Sequence, residues 1–391
     1  MTTRRKDTLL AHAGRRSEDF FGAVNPPVYH ASTITFPTLA ALEASDARPF
    51  EGVHYGRTGT PTTFAFEEAV AALEGGDRTV TLPSGLAAIA CTLLAFATAG
   101  DHVLVPDSVY FPTRRLLGGP LKRFGVEATY YDPTIGGAIA GLIRPETKVV
   151  FTESPGSLTF EVQDIPAIAE AAHARGALVV MDNTWAAGFY FQPFAKGVDV
   201  SIQAATKFIV GHSDAMLGTV TVPARLYDAV RGTANGFGYC AGPDDCYLGL
   251  RGLRSLSARL ARHQENGLKL AHWLAARPEV ERVLHPALPS CPGHDLWKRD
   301  FTGACGLFGV VLKAAPKAAV AAFLDGLELF SMGYSWGGYE SLIIPTYPGK
   351  VRAVTPWPYE GPSIRIHTGL EDADDLIADL KEGLARFTAA R

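Results

Sequence analysis

Downstream of residue 60, stretches with helical spacing of apolar residues alternate with short apolar runs: "RTVTLP", "DHVLVPD", "EATYYD", "TKVVFTES", "ALVVMDNT", "DVSIQAATK" and "GTVTVP". Runs this short and rich in β-branched residues read as strands. Strands separated by helices predict a mostly parallel sheet with helices on both faces. After about residue 250 the pattern changes. "LRGLRSLSARLARHQENGLKLAHWLAARPEV" reads as a long amphipathic helix, "GACGLFGVVLK" as a strand and "PKAAVAAFLDGLELF" as another helix, so a smaller α+β unit is expected there. Residues 1–60 are rich in Pro, Thr and aromatic residues with little periodicity. They are expected to form an extended arm that completes a neighbouring subunit. The expected division is an arm (1–60), a large α/β domain (61–250) and a small C-terminal domain (251–391), without internal repeats or low-complexity segments.

Composition narrows the partners. The 391 residues are 47% hydrophobic and 19% charged, enough for one large core and a second, smaller one. A net charge of -4 with no long basic run leaves no electrostatic footprint for nucleic acid or a membrane surface, which points to small molecules. Five cysteines without a C-x-x-C pair suggest reduced thiols, and the eleven histidines lack metal-ligand spacing, so no metal is expected. The basic start "MTTRRKDTLLAHAG" lacks the apolar core of a signal peptide, and "GALVVMDNTWAAGFYF" is broken by Asp182 and Asn183. A cytoplasmic location is the simplest expectation.

The candidate chemistry begins at Lys207 in "DVSIQAATKFIVGHSD", a lysine among apolar and small residues with no acidic neighbour. Desolvation there would push the amine toward neutrality and make it a nucleophile or a base. Asp182 closes the preceding strand, and adjacent strand ends would bring the two to one crevice, either as a buried ion pair or as groups addressing two ends of one cofactor. In "TLPSGLAAIACTLLAFATAG", Ser84-Gly85-Leu86 joins a strand to an alanine-rich helix, which is an ordinary N-cap or an anion site. Thr206 could add a hydroxyl. Neither a G-x-G-x-x-G nor a P-loop pattern is present, which argues against dinucleotides and nucleoside triphosphates. A phosphate turn, an aspartate, a lysine and the aromatic Tyr110 in "DSVYFP" together meet the needs of pyridoxal 5'-phosphate: a covalent anchor, a partner for the pyridine nitrogen and a stacking face.

The run around Lys207 resembles the lysine signature of the Cys/Met-metabolism pyridoxal-phosphate enzymes, the trans-sulfuration group. The resemblance continues through "VHYGRTGTPT", "LEGGDRTVTLPSGLAA", "ESPGSLTFEVQDIPAIAEAAH", "VVMDNTWAAG", "FSMGYSWGGYESL" and "SIRIHTGLEDADDLIADL". It implies the fold type I, aminotransferase-like α/β architecture. Within the group the chain is most similar to the bacterial cystathionine β-lyases. Relatives acting at the γ-carbon usually carry Asn at the position of Ser157, Ser at that of Ala204, and Ser-Leu-Gly-Gly in place of Ser335–Gly338, which makes Trp336 the chief pointer to the β-lyase branch.

The resemblance also implies roles. Lys207 would hold the cofactor, Asp182 would pair with its ring nitrogen and Tyr110 would stack on the ring. Gly85, Leu86 and Thr206 would hold the phosphate, joined by Tyr55 and Arg57 from a neighbouring subunit; Ala204, where the wider family has serine, leaves the phosphate donors open. Arg365 would clamp the substrate's α-carboxylate beside Ser335 and Trp336, with Tyr110 and Tyr55 completing the substrate pocket and, with Lys207, the catalytic set. The implied reaction is cleavage of L-cystathionine to homocysteine, pyruvate and ammonia, in a homotetramer of dimers with shared active sites; cystine and cysteine share the same amino-acid handle. The alternatives are a γ-carbon enzyme of the same family and a pyridoxal-phosphate-binding regulatory protein without turnover. The "GHSDA" segment with His212 and Ser213 lacks the final glycine of a nucleophile elbow and is expected only to shape a turn.

Overall fold

The computed structural model describes residues 4–391, and in it the seven apolar runs form one sheet. The strands are β1 (Arg78–Leu82), β2 (His102–Pro106), β3 (Glu127–Tyr131), β4 (Thr147–Glu153), β5 (Leu178–Asp182), β6 (Val200–Gln203) and β7 (Gly218–Val222), in the order β1-β7-β6-β5-β4-β2-β3. Strand β7 runs antiparallel to both neighbours, and the remaining pairs are parallel. Successive residues of β2 enter opposite cores. Leu104 joins one apolar cluster, whereas Val103 and Val105 join the other. Both faces are thus covered, which is why these strands read as continuous apolar runs without alternation.

A second sheet holds β8 (Val280–Leu284), β9 (Leu307–Leu312), β10 (Leu342–Thr346) and β11 (Ser363–His367), antiparallel throughout in the order β10-β11-β9-β8. Only β9 is apparent in the sequence. Strand β8 is interrupted by Glu281 and Arg282, β10 by Pro345 and β11 by Arg365, so none shows an unbroken apolar run. The long amphipathic helix spans Pro243–Ala275 and packs on both the helix Pro61–Glu74 and the small sheet. The helix expected over residues 316–330 is shorter, Lys317–Leu324, because Asp325 and Gly326 end it.

The N-terminal region departs from an extended arm. It contains two helices, Lys6–His12 and Leu39–Asp46, the second capped by Thr38, whose Oγ1 accepts from the Ala41 N–H at 3.1 Å. The first docks on its own chain: Leu10 is buried, Lys6 donates to the Phe189 carbonyl and Arg254 donates to that of Leu10. Farther along, Phe21, Tyr29 and Tyr55 are exposed. The five cysteines are free, and no helix among the described residues is long and apolar enough to cross a membrane.

The helix Gly85–Phe96 follows β1 directly, and the Ser84 Oγ accepts from the Ala87 N–H at 3.1 Å. Ser84→Ala is expected to cost about 1 kcal/mol, the usual worth of such a cap, read as a lowered urea midpoint.

Candidate active site

Strand β6 ends at Gln203, and the backbone then folds through a turn that presents Lys207. The lysine therefore sits four residues beyond the strand, not at its last position as the sequence suggests. Its Nζ donates to the Ser335 Oγ at 2.6 Å and lies 5.3 Å from the centre of the Trp336 ring. Burial, with the nearby Arg365 charge, lowers the amine from 10.5 to about 8, against an opposing pull from Asp182. The desolvated lysine that the sequence suggests is present.

Asp182 ends β5. Its Oδ1 accepts from the Thr184 N–H at 3.1 Å and the Thr184 hydroxyl at 2.5 Å, and that hydroxyl in turn accepts from the Ala204 N–H at 2.8 Å. Thr184 thus ties the aspartate to the turn that carries Lys207, leaving Oδ2 without a partner among the described residues. Desolvation raises the pKa of Asp182, and the hydrogen bonds from Thr184 and the charge of Lys207 oppose it. Such a carboxylate is unbalanced until a cation or a proton-bearing nitrogen faces it.

Both side chains line a cavity of about 350 Å³, together with Ser84, Gly85, Leu86, Tyr110, Thr206, Trp336 and Arg365. The turn into the helix Gly85–Phe96 leaves the Gly85 and Leu86 N–H groups without intrahelical acceptors, at the positive end of the helix dipole. A side chain at Gly85 would bring its Cβ to 2.5 Å from that of Ala204, so the backbone can approach this closely only with glycine. The Thr206 hydroxyl donates to the Leu217 carbonyl at 3.0 Å and accepts from the Leu217 N–H at 2.9 Å, so its single proton is already engaged.

The far wall comes from the small sheet. The Arg365 Nη2 on β11 donates to the Ser335 carbonyl at 2.8 Å, and burial lowers the guanidinium to about 10. Ser335 is held at φ 77°, a left-handed conformation uncommon outside glycine, and Gly337 at φ 90° packs against the Lys207–Phe208 backbone, where a Cβ would lie 2.9 Å from two backbone atoms. His212 and Ser213 shape the turn below: the Ser213 Oγ donates to Glu340 Oε1 at 2.5 Å.

Two candidate residues stand apart from this cavity within the chain. Tyr55 is exposed, and the Arg57 Nη1 donates to the Asn235 carbonyl at 2.9 Å; both line shallower surface depressions near Thr60 and Cys240.

Residues 7–385 match the sequence profile described as Cys/Met metabolism PLP-dependent enzyme. The chain belongs to this family. It is 46% identical over 394 residues to cystathionine beta-lyase of Escherichia coli K12, covering 99% of this chain and 100% of that one. It is also 39% identical over 395 residues to L-alanine/L-glutamate racemase of Wolbachia pipientis wMel, covering 98% of each. Among solved structures, cystathionine gamma synthase of Xanthomonas oryzae pv. oryzae, in complex with aminoacrylate and cysteine, superposes with a TM-score of 0.91 at 33% identity over the full length of both chains.

The cavity fits the cofactor of this PLP-dependent family on its own geometry. Among its lining it offers N–H groups without acceptors, a carboxylate oxygen without a partner and an amine with a depressed pKa. Among the described residues there is no cluster of His, Cys, Asp and Glu suited to a metal ion. The sequence pattern assigns no role to Thr184, which orients Asp182, or to Glu153, which ends β4 and lines the cavity. The only signal for either was its place, at or just after the end of a strand.

Proposed function

We propose that the chain is a pyridoxal-phosphate-dependent carbon–sulfur β-lyase that cleaves L-cystathionine to homocysteine, pyruvate and ammonia. The observation that carries this reading is Trp336, whose ring stands 5.3 Å from the Lys207 amine and narrows the cavity where the substrate's side chain must pass. The name borne by the Escherichia coli relative supports it.

When bound, pyridoxal phosphate supplies an electron sink beside the substrate's α-carbon. Lys207 would hold it, and the Lys207 amine, lowered to about 8, would move the α-proton and return a proton to the departing sulfur. Asp182, held in orientation by Thr184, would place a negative charge opposite the ring nitrogen. Tyr110 would cover the ring and the Gly85 and Leu86 N–H groups would take the phosphate, while Thr206, whose proton is engaged by the Leu217 carbonyl, braces the adjoining turn. Arg365 binds the α-carboxylate in two-pronged fashion, with Ser335 and Trp336 beside it. Tyr55 and Arg57, which stand outside their own chain's cavity, complete the phosphate and substrate contacts of a second copy, within a cytoplasmic homotetramer built from dimers.

The test is the keto acid released when the cofactor-loaded protein meets L-cystathionine. Pyruvate with homocysteine is the expected result. Release of 2-oxobutyrate with cysteine would move the chain to the γ-carbon branch, which the likeness to the Xanthomonas structure favours, and no keto acid would leave a regulatory protein.

A further inference from the structure

The cavity contains a second carboxyl that the reaction above does not use. Glu153 is the last residue of β4 and Asp182 the last of β5, and the two are paired across the parallel ladder. Two acids thus end side by side on one wall of one cavity. Their surroundings differ. Asp182 is tied to Thr184 and lies within the influence of Lys207. Glu153 turns instead toward backbone: its Oε2 accepts from the Tyr110 N–H at 2.8 Å. Tyr110 is the residue that caps the short helix Phe111–Leu116, and its own side chain leaves it without a capping contact there. The ring of Tyr110 is part-exposed in the cavity wall, and its backbone N–H is held by Glu153.

On the reading that this cavity holds pyridoxal phosphate, the geometry points to Glu153 as a positioning residue that fixes the Tyr110 backbone and so the aromatic wall over the cofactor. It acts through Tyr110 and makes no contact with substrate. Burial and the neighbouring Asp182 charge raise the Glu153 pKa well above the ordinary carboxylate range, against the N–H groups of Tyr110 and Ser157. Glu153 thus serves as the hydrogen-bond acceptor for the Tyr110 N–H, and Asp182 supplies the charge. A neutral amide of the same length should replace it, because a glutamine oxygen accepts the same N–H bond.

The experiment compares Glu153→Gln, Glu153→Ala and Tyr110→Ala with the unmodified holoenzyme. The readouts are the rate of cofactor loss to a trapping apo-enzyme and the visible circular dichroism of the bound cofactor, which reports its orientation. Glu153→Ala is expected to speed cofactor loss about tenfold and to diminish the dichroic band, in line with the loss of a hydrogen bond to a buried group. Glu153→Gln should stay within about threefold of the unmodified protein, since it restores that bond. In the Tyr110→Ala background, Glu153→Ala should add nothing further, because its effect runs through Tyr110. Unchanged cofactor loss in Glu153→Ala, loss in Glu153→Gln as large as in alanine, or additive effects in the double variant would each overturn the assignment. If Glu153→Ala does not fold, the Glu153→Gln comparison and its dichroism decide alone. Failure of the unmodified protein to bind pyridoxal phosphate would instead overturn the reading of the cavity, leaving the two failures distinct.

Discussion

Lys207→Ala is expected to lower the rate of pyruvate release from L-cystathionine at least about 1000-fold, since a positioned general base and acid alone contributes roughly 100- to 10,000-fold. The structure gives a physical reason for so large a loss. Lowering the amine from 10.5 to about 8 raises its unprotonated fraction at pH 7 from about 1 in 3,000 to about 1 in 10, so the fold makes a usable base of a group that is almost wholly charged in water. Alanine removes that base and the covalent anchor together, while the N–H groups at Gly85 and Leu86 and the Asp182 carboxylate stay in place. The variant should therefore still take up cofactor, but without attachment. Borohydride reduction followed by peptide mass analysis checks this: the unmodified chain should gain the cofactor's mass on the peptide containing Lys207, and the variant should gain none. The sign of the pH dependence follows from the same shift. The free amine is the active form, so turnover should rise as pH increases through about 8 and level off above it. A variant retaining more than a tenth of the rate would remove Lys207 from the reaction.

How far this site was legible depended on how local each signal is. Lys207 and Asp182 are visible because charge interrupts apolar runs at strand ends, and a parallel sheet brings successive strand ends to one crevice whatever lies between them. The large sheet was legible for the same reason, since strands covered on both faces leave unbroken apolar runs. The small sheet was not, because β8, β10 and β11 carry Glu281, Pro345 and Arg365 within short segments whose burial is decided by the rest of the chain. The N-terminal helices were missed for a related reason. Thr38 caps Leu39–Asp46 with an ordinary local signal, but the surrounding Pro and aromatic residues hide the period. Glu153 and Thr184 show the limit most clearly. Neither residue type nor spacing singles out a glutamate whose partner is the backbone of Tyr110, 43 residues away in sequence, or a threonine that binds an aspartate and a distant N–H at once. The resemblance to the family supplied identities at these positions but no account of what they hold.

Asp182→Asn is expected to lower kcat/KM for L-cystathionine about 100- to 1000-fold, the usual cost of removing one preorganised electrostatic partner from a water-poor site. The substitution separates charge from shape. The Thr184 hydroxyl and N–H both donate to Oδ1, and an asparagine oxygen at that position accepts the same two bonds, so the side chain should keep its orientation. What changes is Oδ2, which becomes an NH₂ group and can no longer accept a proton-bearing ring nitrogen. The cofactor should stay bound while its power to store charge falls, so the loss should appear in kcat, with KM little changed. The neighbouring acid makes the outcome more informative. Burial is the larger cause of the raised Glu153 pKa and the Asp182 charge the lesser, so the substitution leaves Glu153 raised at the same end of the sheet. Asp182→Asn combined with Glu153→Gln should therefore be no slower than Asp182→Asn alone, and Glu153→Gln alone should leave kcat close to that of the unmodified enzyme. A fall of less than tenfold in Asp182→Asn that persists in the double variant would mean that neither carboxyl carries the charge the reaction requires.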